Sequence, residues 1–230
     1  MEILIKLQIE QNEIISKTTQ AIEKKKSFLL TYFNVHCYYI YSKNKEYKRL
    51  IDNEFITYPD GTGLWIMLNK IGRKYPRFNA TDLNYFLMNY LIENNKSVVI
   101  IGGNFEEKDI KEICRKRNLN LARYFNGYID NQFILNETQY VSTDVILIGM
   151  GVPKQEVLAY EISKLQKSSV IICVGNFFEF YFGSQKRAPL FMQRIGLEWL
   201  YRLYLEPRRL FFRYTVENLY FFWKTLFIKK

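Results

Sequence analysis

Six short apolar runs rich in β-branched residues, at 28–33, 55–58, 97–101, 120–125, 145–148 and 170–174, recur along this chain with helix-period segments between them. A continuous apolar run is buried on both faces, and a strand that returns through a helix comes back parallel to the strand before it. The rhythm therefore predicts an α/β fold with a Rossmann-like parallel sheet flanked by helices. Helices are expected over 10–26, 35–50, 61–71, 81–94, 106–117, 153–166, 189–204 and 207–226. Several strands end directly in glycine. In open α/β sheets the ligand crevice lies beyond the carboxyl ends of the strands, so Asp60, Gly102, Gly103, Gly149, Gly151 and Gly175 should converge.

Strands cease near Arg187-Ala188-Pro189, after which the chain turns helical, basic and aromatic. This places a boundary between a core, 1–188, and a helical appendage, 189–230. The formal charge is +10, and residues 186–230 carry ten Lys or Arg against three Glu, so most of the excess lies in the last fifth. Charge alone attracts nucleic acid and an anionic membrane surface equally. The tail adds Phe211, Phe212, Tyr214, Tyr220, Phe221, Phe222, Trp223 and Phe227 among Arg208, Arg209, Arg213 and Lys224, and ends in Lys229-Lys230. Too charged to span a bilayer, a basic helix with aromatic anchors suits a headgroup region; a packing or oligomer helix is the alternative.

Other classes are excluded more directly. Cys37, Cys114 and Cys173 are widely spaced and His36 is the only histidine, which argues against a zinc site or a disulfide framework. No D-x-D pair is available to hold a cation on a diphosphate, so no metal is expected. Neither a P-loop nor G-x-G-x-x-G occurs, against an ATPase or a nicotinamide enzyme, and no cofactor is expected. The start lacks a signal peptide's basic n-region and apolar core, and no long uncharged apolar stretch exists, which reads as a cytoplasmic protein.

The residues with chemistry to offer fall at predicted strand ends. Asp60 follows a strand and precedes Gly61-Thr62-Gly63, a place for a general base or for an N-cap accepting a backbone N–H. Asn34 ends the first strand, where an amide can orient a ligand hydroxyl; neighbouring His36 reads as structural. The block Gly149-Met150-Gly151-Val152-Pro153-Lys154-Gln155-Glu156 joins a buried strand to a helix, with Pro153 suited to its first turn and the helix N-terminus favouring phosphates. Beyond it, Arg187, Arg202, Arg208, Arg209 and Arg213 stand among aromatics. Guanidinium groups bind phosphate bidentately and stay charged, so they point to an anionic ligand such as a diphosphate, or else to a solvated basic helix.

Taken in order, Asn34, Tyr58-Pro59-Asp60-Gly61-Thr62-Gly63, Arg77 with Asp82-Leu83, Gly102-Gly103, Gly127-Tyr128, the 149–156 block and the 173–214 stretch resemble the motifs of the WecG/TagA/CpsF glycosyltransferases. The resemblance implies an inverting transfer from a UDP-sugar to an undecaprenyl-diphosphate-linked saccharide during synthesis of a bacterial surface polymer. N-acetylmannosamine, its uronic acid or another hexose would be the donor sugar. It implies Asp60 as general base with Asn34 beside it. Substrate contacts would come from Thr31, Arg77, Asp82, Gly102, Gly103, Gly127, Tyr128, Gly149, Gly151, Pro153, Gln155, Glu156, Gly175, Glu179 and the five arginines. It also implies a peripheral position on the inner face of the plasma membrane and no nucleic acid, with a homo-oligomer left open. A non-enzymatic nucleic-acid-binding protein would explain the charge but not the ordered motifs. The chain departs from the family pattern at Tyr32 for threonine, Ala80 and Asn176 for glycine, and Glu179 for aspartate.

Overall fold

A computed structural model describes residues 2–77, 79–166 and 169–226. Six strands form one sheet: β1 (Phe28–Phe33), β2 (Ile56–Pro59), β3 (Val98–Gly102), β4 (Leu121–Phe125), β5 (Val145–Gly149) and β6 (Val170–Cys173). Their order is β2-β1-β6-β5-β3-β4 and every pairing is parallel. The expected α/β parallel sheet is thus the observed one, with strand limits shifted by a residue or so. Leu30, Ile100, Ile146 and Ile171 are fully buried, because helices cover both faces. The edge strand β4 turns Arg123 outward, a charge that discourages pairing with another chain.

Three expected helices are broken. Residues 35–50 divide into Val35–Lys43 and Lys45–Asn53, because the Asn44 side chain accepts from Tyr47 N–H and restarts the helix. Residues 189–204 divide into Leu190–Arg194 and Glu198–Leu205 around Gly196, whose φ of +80° a continuous helix does not permit. Residues 207–226 run as Pro207–Phe212, a π-helical turn at Arg213–Glu217, and Asn218–Thr225. Helices at Glu2–Lys6, Asn131–Thr138 and Phe177–Tyr181 were not anticipated. The first buries Ile3 and Leu4, and Arg73 ties it down by donating to the carbonyls of Leu4 and Leu7 at 2.5 and 2.8 Å.

The C-terminal helices lean back on the sheet layer. Tyr38 and Phe221 meet edge to face at 5.0 Å between ring centroids, and Tyr39 meets Tyr220 at 5.4 Å. Leu210 and Phe221 are buried, whereas Phe211, Leu219 and Trp223 are exposed. The exposed residues Phe212, Val216, Leu219, Trp223 and Leu226 follow one another at spacings of three or four, so the appendage is apolar on its outer side as well. No helix among the described residues is long and apolar enough to cross a membrane. Phe227, Lys229 and Lys230 lie outside the described residues.

Candidate active site

The carboxyl ends of β3, β4, β5 and β6 meet through glycines. A Cβ on Gly102 would stand 2.4 Å from the Gly149 carbonyl oxygen, one on Gly149 would stand 2.6 Å from that of Gly175, and one on Gly127 would stand 2.9 Å from Gly102 Cα. Any side chain would push these backbones apart, so glycine is required here by neighbouring chain before any ligand is considered. The product is a smooth floor beyond the sheet. Tyr32 packs against its end: a Cβ on Gly175 would lie 2.5 Å from the Tyr32 hydroxyl oxygen.

Two chambers open above this edge. The larger, about 670 Å³, is lined by Gly103, Gly127, Tyr128, Gly149, Gly151, Lys154, Gly175, Asn176, Glu179, Arg209 and their neighbours. The smaller, about 300 Å³, is lined by Gly61, Thr62, Gly63, Ile66, Arg77, Trp199, Tyr214, Asn218 and Phe222 among others. Asn34, His36, Asp60, Thr81, Arg202 and Arg213 line both and form the seam between them.

Asp60 is held at that seam by residues far apart in the chain. Its Oδ1 accepts the Ala80 N–H at 2.9 Å, and its Oδ2 accepts from Asn34 Nδ2 at 3.2 Å. The N-cap of the helix that follows is Gly61, so Asp60 does not cap its own helix but faces the first N–H of Ala80–Glu93. Asn34 works with both ends of its amide, since its Oδ1 caps Val35–Lys43 by accepting the Cys37 N–H at 3.1 Å. Each Asp60 oxygen retains lone-pair capacity for a further donor.

The guanidinium groups divide into engaged and free. Arg187 lies between Asp82, at 2.7 Å, and Glu198, at 3.4 Å, and lines neither chamber. Arg77 donates to the carbonyls of Gln193 and Arg194, holding the end of a short helix, and Arg209 is paired with Glu206 at 2.5 Å. Arg202 and Arg213 are different: neither side chain makes a hydrogen bond or ion pair among the described residues. Arg202 rests over the Phe180 ring at 5.5 Å, and its Nε is buried without an acceptor. A buried charged donor left unmatched costs a few kcal/mol, which an anionic ligand oxygen would recover.

Several residues read from the sequence as ligand contacts stand elsewhere. Thr31, Gln155 and Glu156 are fully buried behind the larger chamber. Glu156 Oε1 accepts from Thr31 Oγ1 and from Gln155 Nε2, each at 2.8 Å, while Gln155 Oε1 accepts the Gly175 N–H at 3.1 Å. The three make a bracket that fixes the glycine floor. Burial pushes the Glu156 carboxyl up to about 7 even though both donors favour its ionised form, and its Oε2 has no partner. Asp82, Gly102, Pro153 and Arg208 also line neither chamber. Glu179 does line the larger one, its carboxylate accepting from the Ser184 hydroxyl.

Other wall residues were not picked out beforehand. Lys154, which reaches toward the Gly127 carbonyl at 3.4 Å, belongs to a block already noticed, and Trp199 and Tyr214 belong to the aromatic stretch. Glu206 lies within the 173–214 stretch and Thr81 beside Asp82, whereas Asn218 gave no local signal. His36, expected to be structural, pairs its Nδ1 with Glu217 Oε2 at 2.8 Å. Among the described residues no three His, Cys, Asp or Glu side chains gather where they could hold a metal ion.

Compared with known proteins, the chain matches the model of the glycosyl transferase WecG/TagA/CpsF family over residues 3–230. It is 27% identical over 197 residues, covering 82% of this chain and 75% of the relative, to an N-acetylglucosaminyldiphosphoundecaprenol N-acetyl-beta-D-mannosaminyltransferase of Bacillus subtilis. A protein of the same description from Bacillus spizizenii is 27% identical over 198 residues, 84% of this chain and 77% of its own length.

Proposed function

The chain belongs to the WecG/TagA/CpsF glycosyltransferase family, and we propose that it moves a sugar, N-acetylmannosamine or a close relative, from UDP to an undecaprenyl-diphosphate-linked saccharide. The observation that carries this reading is the position of Asp60 on the seam of two chambers. A group-transfer enzyme must hold two substrates with their reacting atoms adjacent, and a base belongs at that junction.

The larger chamber suits the donor. Its glycine floor lets a ligand approach backbone closely, and Lys154, Arg202 and Arg213 supply positive charge for a diphosphate. The smaller chamber suits the acceptor, because Ile66, Trp199, Tyr214 and Phe222 offer apolar and aromatic walls. In the transfer step an acceptor hydroxyl gives its proton to Asp60 as its oxygen bonds the anomeric carbon. The bond from that carbon to the diphosphate breaks with inversion, and UDP leaves with the electron pair. Arg202 and Arg213 stabilise the charge that grows on the leaving phosphate. Asn34 and the Ala80 N–H keep the Asp60 carboxylate aimed throughout.

The exposed apolar side of the appendage and its excess of positive charge support a peripheral seat on an anionic membrane, where a lipid-linked acceptor is found. A polyprenyl diphosphate could then enter the smaller chamber without leaving the headgroup region. The test is a screen of nucleotide sugars against a short-chain lipid-diphosphate saccharide with mass-spectrometric detection. A product of the expected mass from one UDP-sugar supports the reading. No product from any donor, together with no UDP binding by calorimetry, would refute it.

A further inference from the structure

The π-helical turn Arg213–Glu217 is the only π segment among the described residues, and it carries two wall residues: Arg213 for both chambers and Tyr214 for the smaller. A π turn is locally unfavourable and persists where surrounding contacts hold it, often beside a functional site. Its last residue, Glu217, is 4% exposed, and His36 is the only hydrogen-bond or ion-pair partner of its carboxylate among the described residues. A carboxylate only accepts, so where Glu217 is ionised His36 Nδ1 is the donor across the 2.8 Å contact.

His36 lies two residues after Asn34, at the start of the same helix. That one helix start therefore grips the base through Asn34 and the appendage through His36. The two grips differ in kind. Ring contacts of Tyr38 with Phe221 and of Tyr39 with Phe212 and Tyr220 hold the appendage against this helix, but ring packing tolerates sliding. A charge-assisted hydrogen bond does not, because its strength falls steeply with distance and angle.

We propose that His36 and Glu217 are positioning residues for the transfer reaction: their contact sets the register of the π turn and so places Arg213 opposite Asp60. This rests on the assignment of the chambers to donor and acceptor. It predicts that His36 acts through Arg213 and not by itself, which a double-mutant cycle reads directly. His36→Ala should lower kcat/KM by about 10- to 100-fold, the size of effect expected when a charge-stabilising group is misplaced by about an ångström. In an Arg213→Ala background His36→Ala should have little further effect, since no guanidinium remains to be placed. His36→Asn, whose amide can donate where Nδ1 did, should restore most of the activity, and Glu217→Gln, which keeps an acceptor, should lose less than Glu217→Ala.

Losses that multiply in the double variant, or His36→Asn as poor as His36→Ala with an unchanged thermal midpoint, would overturn the proposal. If the wild type shows no transfer, the glycosyltransfer reading fails by itself. The same cycle is then run on UDP affinity by calorimetry, because Arg213 lines the larger chamber whatever the acceptor. Non-additive UDP affinities would still support positioning by His36, and additive ones would end it.

Discussion

Replacing Glu156 by glutamine should remove a pH dependence from the stability of this protein. Glu156 is wholly buried, and its carboxyl is raised from the ordinary 4.5 to about 7 chiefly by that burial. A rise of that size amounts to about 3 kcal/mol against the ionised form. The sign follows from linkage: between about 4.5 and 7 the native state holds a proton that the unfolded chain has released, so stability falls as pH rises and levels off above 7. Between pH 5 and pH 8.5 the loss from this one group is about 2 to 3 kcal/mol. Glutamine keeps the Oε1 acceptor used by Thr31 and Gln155 but cannot ionise. It places an amide where Oε2 has no partner, which costs about 1–3 kcal/mol at every pH and leaves the slope untouched. Urea unfolding of both proteins at a series of pH values measures the difference. The wild-type curve should fall relative to the variant by the stated amount; parallel curves would show that Glu156 does not carry its proton in the native state, and the argument from burial would be wrong.

Four further outcomes are expected. Asp60→Asn should fold and bind UDP normally while turnover drops by about two to four orders of magnitude, because an amide cannot accept the acceptor's proton; steady-state kinetics on the folded variant decide it. Arg202→Ala should raise donor KM or lower turnover by about tenfold or more with a soluble acceptor analogue, since a diphosphate contact does not depend on a membrane. Transfer should persist in excess EDTA, with free guanidinium groups serving the diphosphate, and complete loss restored by magnesium would contradict this. Exchanging the exposed Phe211, Leu219 and Trp223 for serine should weaken binding to anionic liposomes and leave the thermal midpoint nearly unchanged, whereas deleting the tail would also uncover Tyr38 by removing Phe221. Unchanged liposome binding in the triple variant would make that face an oligomer contact or bare surface.

The layered α/β fold and the convergence of Asp60, Gly149 and Gly175 on one edge follow from the chain alone, because strand burial and helix periodicity are local signals and topology rules then direct the ends of parallel strands to one side. Aromatic and arginine content after residue 186 likewise motivates the proposal of an anionic, partly apolar partner. Helix continuity was less legible. Asn44 and Gly196 interrupt segments whose apolar spacing would allow a single helix, and the π turn at Arg213–Glu217 has no composition of its own; it ends on Glu217, which meets His36 from the other end of the chain. The same limit separates the glycines from their purpose: Gly102 is required by the backbone of Gly149 beside it, and Gly149 by that of Gly175. It also separates arginines of identical chemistry. Arg187 is committed to Asp82 and Glu198, while Arg202 and Arg213, over the chambers, have no hydrogen-bond or ion-pair partner among the described residues. Residue type sets what a side chain can bind, but which partner reaches it first is decided by contacts between different elements of the fold, and only the tertiary structure holds those.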